Sequence, residues 1–86
     1  MDISVELTLS PLQDDFEPII IAFIKKLRSS GFKIVENALS TQVFGPYDAV
    51  MDMLQKEMKT AMEQSNHVLI YMKLVKSDRS QYEPHF

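Results

Sequence analysis

The sequence contains no cysteine, which excludes a disulfide framework, a thiolate metal site and a cysteine nucleophile. It has only two glycines, and no glycine-rich segment leads into a helix start. Ser29-Ser30-Gly31 therefore reads as a helix terminus and not as a phosphate loop. Basic residues are few and dispersed, grouping only at Lys25-Lys26-Arg28 and around Lys73, Lys76 and Arg79, within a formal net charge of −3. That density is below what a nucleic-acid reader uses, and no stacking aromatics accompany it. The acidic balance suits a neutral or cationic partner instead.

Long apolar runs are also missing. The longest, Ile19 to Ile24, has six residues, against roughly 20 for a bilayer span. The opening "MDISVELTLS" alternates apolar with polar residues, the reverse of a charged segment followed by an apolar one. The expectation is a cytoplasmic protein with no membrane partner. The two histidines, His67 and His85, have no ligand set arranged with them, so neither a metal nor a cofactor is expected. Asp14 and Asp15 are adjacent at a helix start, where carboxylates complement the dipole more readily than they form a catalytic pair. No acid–base pair accompanies the hydroxyls, so the chain reads as a non-enzyme with no catalytic residues.

What remains is an 86-residue chain with 45% hydrophobic and 24% charged residues, an ordinary globular balance for one domain. A domain this small buries roughly 60–65% of its unfolded surface, so modest stability and self-association are expected. Residues 3–9 alternate Ile3, Val5, Leu7 and Leu9 against Ser4, Glu6 and Thr8, a strand with one buried face that Pro11 stops. Asp14 and Glu17 have the spacing of a capping box. From there Phe16, Ile19, Ile20, Phe23, Ile24 and Leu27 follow helical spacing, and Gly31 supplies a left-handed stop.

Two short strands over 32–38 and 40–45 follow, with Asn37 at the turn because it tolerates a left-handed backbone. Gly45-Pro46 opens a second helix, with proline at the first helical position. Its apolar stripe is Tyr47, Val50, Met51, Leu54, Met58, Ala61 and Met62. A last strand over 67–76 places Val68, Ile70, Met72 and Leu74 on one face, and Leu69, Tyr71 and Val75 on the other.

The order βαββαβ with right-handed crossovers puts both helices on one face of a four-stranded antiparallel sheet. The expected fold is thus an α+β ferredoxin-like sandwich spanning 1–86, with 77–86 as a loose tail. Its open face carries Ser4, Glu6 and Thr8 beside Leu69, Tyr71 and Val75, an apolar stripe that implies a homodimer or higher homo-oligomer.

One segment is richer in polar groups than a strand–helix junction needs: "ALSTQVFGPYDAV", residues 38–50. Gly45 and Pro46 are accounted for by helix initiation. Thr41, sharing the buried face with Val43, needs a partner for its hydroxyl. Thr41, Tyr47 and Asp48 could converge at the end of the third strand, where a helix start offers free N–H groups.

The stretches "ISVELTLSPL" and "ALSTQVFGPYDAVM", with the spacing between them, resemble the YkoF-like family of thiamine- and hydroxymethylpyrimidine-binding proteins. The likeness runs from Ile3 to about Lys76, and the Ser40–Met51 run is its most specific part. The resemblance implies a ferredoxin-like fold and non-catalytic binding of thiamine or its pyrimidine moiety, as a carrier or sensor in uptake or salvage. Binding members of the family carry two such units, which a homodimer of this single unit would rebuild. An aminopyrimidine pairs an amine donor with ring-nitrogen acceptors. The expected ligand-binding residues are accordingly Ser40, Thr41, Tyr47, Asp48 and Met51, with Asp48 accepting from the amine and Tyr47 or Met51 covering the ring. The competing expectation is an oligomeric structural or regulatory domain in which the segment only caps a helix.

Overall fold

A computed structural model describes residues 1–86. Its elements are β1 (Asp2–Pro11), α1 (Glu17–Arg28), β2 (Lys33–Glu36), β3 (Thr41–Pro46), α2 (Tyr47–Gln64) and β4 (Val68–Val75). The sheet order is β2-β3-β1-β4 and every pairing is antiparallel. This is the ferredoxin-like sandwich that the element order dictates.

β1 alternates as the sequence demands. Ile3, Val5 and Leu7 are buried under the helices, and they meet Val43 of β3, Ile19, Phe23 and Leu27 of α1, and Val50, Leu54 and Ala61 of α2 in one core. Register carries that alternation across the sheet. Val5 faces both Val43 and Leu74, whereas Ser4 faces Phe44 and Val75 on the opposite side.

Several local expectations change. α1 starts at Glu17 behind Phe16, without a side-chain cap, so the Asp14–Glu17 capping box does not form. Gln13 Nε2 instead donates to the Asp15 carbonyl. Phe16, expected on the buried stripe, is exposed. Pro46 caps α2 from an extended conformation, one residue before the first helical position. Asn37 does not use a left-handed backbone, because Gly31 is the only residue with positive φ. Its Oδ1 accepts from the N–H groups of Leu39 and Ser40, both at 2.9 Å, so the side chain itself closes the turn. Met62 points outward, and Met53 packs against the core in its place.

Gly45 has a reason beyond helix initiation. A Cβ there would stand 2.9 Å from Phe32 Cδ1 and 3.0 Å from Val50 Cγ2, so the bare backbone lets Phe32 and the start of α2 close on β3. The residues after β4 are more ordered than a loose tail. Ser77 and Arg79 are hydrogen-bonded to Ser4 on the open face, and the last residues, 83–86, are exposed.

Overpacking at this contact makes Gly45→Ala destabilising by about 1–3 kcal/mol. Urea unfolding should show it as a lower midpoint with an unchanged slope.

Candidate functional site

β1 is longer than β3. The β1–β3 ladder ends at the Leu7–Thr41 pair, while β1 runs on beside β4 to Pro11. Beyond Leu7, β1 therefore has a neighbour on one side only. The 37–40 loop fills the vacant side at a distance, leaving a cavity of about 220 Å³ between loop, sheet and helix. Leu7 and Leu9 form its floor, Ile20, Phe23 and Ile24 of α1 its wall, and Asn37 to Thr41 its rim. Such a space suits one small ring, being below the roughly 300–1,000 Å³ of sites for drug-sized ligands.

Thr41 is the polar group set deepest in this cavity. It is 9% exposed, because its partner in register is the core residue Leu7. Its hydroxyl makes no hydrogen bond within the protein. No fully buried side-chain oxygen or nitrogen is left without a partner, so Oγ1 keeps some exposure, and Thr41 lines the cavity. A hydroxyl so placed can donate to a ring nitrogen or accept from an amine.

The rim adds further polar groups. Thr8 Oγ1 donates to the Leu39 carbonyl at 3.3 Å, and the Asn37 N–H to the Ser40 carbonyl at 3.1 Å. Those bonds pin the loop and leave the Ala38 peptide N–H and C=O without partners in the chain. Ser40 also lines the cavity, but its hydroxyl is committed to Glu6 Oε2 on the open face at 3.0 Å. The 37–41 segment thus offers one free hydroxyl and the free N–H and C=O of Ala38 against an apolar wall.

The other expected residues are elsewhere. Tyr47 follows the far end of β3, about 20 Å from Thr41 at ~3.3 Å per strand residue, and Asp48 and Met51 continue from it in α2. None of them lines a cavity. Asp48 is exposed in the first turn of α2, where it complements the helix dipole. The Tyr47 N–H, expected to be available to a ligand, donates to the Met1 carbonyl at 2.9 Å. Met51 is half-buried against the core. The five residues therefore do not converge, and only Ser40 and Thr41 belong to the cavity.

Sequence reasoning missed the cavity's apolar side, although Ile20 and Ile24, one turn apart on α1, carry the signal for it. Both are half-buried beside a fully buried stripe of Ile19, Phe23 and Leu27. The loop is held from behind by an exposed bidentate pair, Arg28 to Glu36, at 2.7 and 2.8 Å. Hydrogen bonding from Arg28 keeps the Glu36 carboxyl below its usual range, with the guanidinium charge adding to it. No group of three or more His, Asp or Glu residues is arranged to hold a metal ion, and no helix is long and apolar enough to cross a membrane.

The fold and cavity define a ferredoxin-like α+β protein with a small pocket at the short end of its third strand. A family model, the YkoF-related family, matches residues 2–77, and the chain belongs to that family. No curated protein matches the chain. Among solved structures it is similar to a Streptococcus pneumoniae protein at TM-score 0.84 and 20% identity, covering 94% of this chain and 92% of that one. A candidate thiamine biosynthesis/salvage protein from Thermotoga maritima aligns at TM-score 0.80 and 18% identity, over 90% and 85% of the two chains. A domain of unknown function from Bacillus cereus aligns at TM-score 0.76 and 15% identity, over 91% and 78%. At these identities the likeness is one of fold.

An unbonded hydroxyl contributes nothing to folding through hydrogen bonds. Thr41→Val should therefore leave unfolding free energy within about 0.5 kcal/mol of the parent or raise it. Ser4→Ala, which removes two hydrogen bonds, should cost roughly 1–3 kcal/mol. Chemical denaturation of the two variants side by side checks the contrast.

Proposed function

We propose that the protein binds the hydroxymethylpyrimidine ring, free or as part of thiamine, in the cavity between α1 and the 37–41 loop. In this reading it acts without catalysis, as a cytoplasmic carrier or sensor in thiamine uptake or salvage. The observation that carries it is Thr41, a residue nine-tenths buried whose hydroxyl is unpartnered and which lines an apolar-walled space of about 220 Å³. Membership of the YkoF-related family and the name of the Thermotoga maritima neighbour support the same ligand class.

The chemistry is complementary. A flat aminopyrimidine lies against Leu7, Leu9 and Phe23 and gains apolar burial. Its ring nitrogen accepts from Thr41 Oγ1, and its amine donates to the Ala38 carbonyl, a partner that replaces the expected Asp48. Leu39, 86% exposed at the rim, gains a surface to cover once a ring is in place.

A second copy is the partner that suits β4. This outer strand is hydrogen-bonded to β1 alone, and its eight residues contain no proline and one charge, Lys73. Leu69, Tyr71, Met72 and Leu74 are 45%, 62%, 42% and 45% exposed, so apolar surface lies bare on both faces of an open edge. Natural edges of that kind are usually blunted or covered. Two β4 strands related by a two-fold axis would pair antiparallel and cover it, giving a homodimer.

Calorimetric titration with hydroxymethylpyrimidine and thiamine tests the ligand. Thr41→Val should weaken binding by roughly 3- to 10-fold, the loss of one neutral hydrogen bond, whereas Asp48→Ala should leave it unchanged. No heat with either ligand at millimolar concentration would reject the reading. Light scattering tests the dimer: the parent should have twice the chain mass, and Tyr71→Lys with Leu74→Lys should have the single mass. A parent protein that is monomeric at high micromolar concentration would rule the pairing out.

A further inference from the structure

The open face of the sheet is not bare. Ser4, at the third position of β1, is 8% exposed because the chain after β4 folds back over it. Its hydroxyl donates to the Ser77 carbonyl and accepts from the Arg79 N–H, each at 2.8 Å. Arg79 Nε in turn donates to Ser77 Oγ at 2.8 Å. Asp78 closes the turn by accepting from the Ser80 N–H at 2.9 Å, and hydrogen bonding from Ser80, aided by Lys33, holds its carboxyl below the usual range. Residues 77–82 are thus a fastened strap, and it stands off the sheet enough to leave a cavity of about 260 Å³.

The groups around that cavity are mostly hydrogen-bond donors left idle. Phe44, 8% exposed, and Val75 form the floor. Lys73, Gln42 and Tyr82 face the space, and none of their polar side-chain atoms has a partner in the protein. Arg79 is fixed through Nε alone, so the outer edge of its guanidinium is free. The single carboxylate is Glu6, and one of its oxygens already takes the Ser40 hydroxyl. Glu6 stands opposite Lys73 in register, yet the two form no ion pair, since Arg28–Glu36 is the chain's only one. Two cations, an amide and a phenol therefore surround an apolar floor and outnumber one carboxylate.

We propose that this cavity is a second binding site, for a small flat molecule carrying one anionic group, either a phosphate monoester or a carboxylate. The ring rests on Phe44 and Val75 under Tyr82, an arrangement that gains from aromatic contact. The anionic group meets Lys73 and the free edge of Arg79, whose planar fork matches either anion in a bidentate way. Glu6 opposes a second anionic group and so limits the site to one. The site lies across the sheet from the Thr41 cavity and does not depend on what binds there.

Amide chemical-shift titration of the full chain tests it, with phenyl phosphate, benzoate, inorganic phosphate and the neutral benzyl alcohol as probes. Phenyl phosphate or benzoate should move the signals of Ser4, Gln42, Phe44 and Arg79, and the stronger of the two tells phosphate from carboxylate. Benzyl alcohol and inorganic phosphate should each bind about tenfold more weakly than that probe, lacking the charge or the ring. Lys73→Gln and Arg79→Gln should weaken the better probe, while Glu6→Gln should strengthen it by removing like charge. Because Arg79→Gln also loosens the strap, Glu6→Gln is the decisive variant. Equal binding of benzyl alcohol, equal binding of inorganic phosphate, shifts confined to other residues, or a Glu6→Gln variant that binds no better would each overturn the proposal. A Thr41→Val variant should bind the better probe as the parent does, which separates this result from any failure at the Thr41 cavity.

Discussion

The rest of the structure depends on β1 pairing on both of its edges over unequal lengths. With β4 it pairs from Ser4 to Pro11, and with β3 only from Asp2 to Leu7. The doubly paired part is the rigid centre of the sheet, where Val5 and Leu7 are almost fully buried. The singly paired part ends that rigidity and opens a gap between strand and helix. A cavity at the end of a short strand is thus a consequence of ladder lengths, and the residues that line it inherit their positions from the core beside it.

Much of the fold was legible in the sequence because it rests on period. Alternation in 3–9 and helical spacing in 16–27 and 47–62 do not depend on what they pack against, so element order, sheet topology and buried faces follow from them. The caps were less legible. Asp14 and Glu17 have the spacing of a capping box, but Pro18 stands at the second helical position and the helix starts at Glu17. Asn37 was marked as a turn residue for its backbone tolerance, yet it works through its side-chain oxygen. Spacing alone does not distinguish those two uses.

The candidate site was legible in part, for a related reason. Neighbours in sequence along a strand are far apart in space, so Ser40-Thr41 and Tyr47-Asp48 mark opposite ends of β3 and do not form one cluster. What places Thr41 in a site is its register with Leu7 and the proximity of α1, and both are long-range facts. Ser40 shows the same point in reverse. Its hydroxyl crosses the sheet edge to Glu6, so a residue on the rim of one cavity holds a residue that lines the other. The strap over Ser4 was not legible at all, since a polar segment after the last strand has no periodicity to betray where it packs.

The central claim is that ligand recognition lies at the Thr41 end of β3. Amide chemical-shift mapping with hydroxymethylpyrimidine tests it most directly. The account predicts that the signals of residues 7–9, 20–24 and 37–41 move together and saturate at one ligand per chain, while those of 47–51 stay in place. Shifts centred on Tyr47, Asp48 and Met51, with Thr41 unmoved, would contradict it.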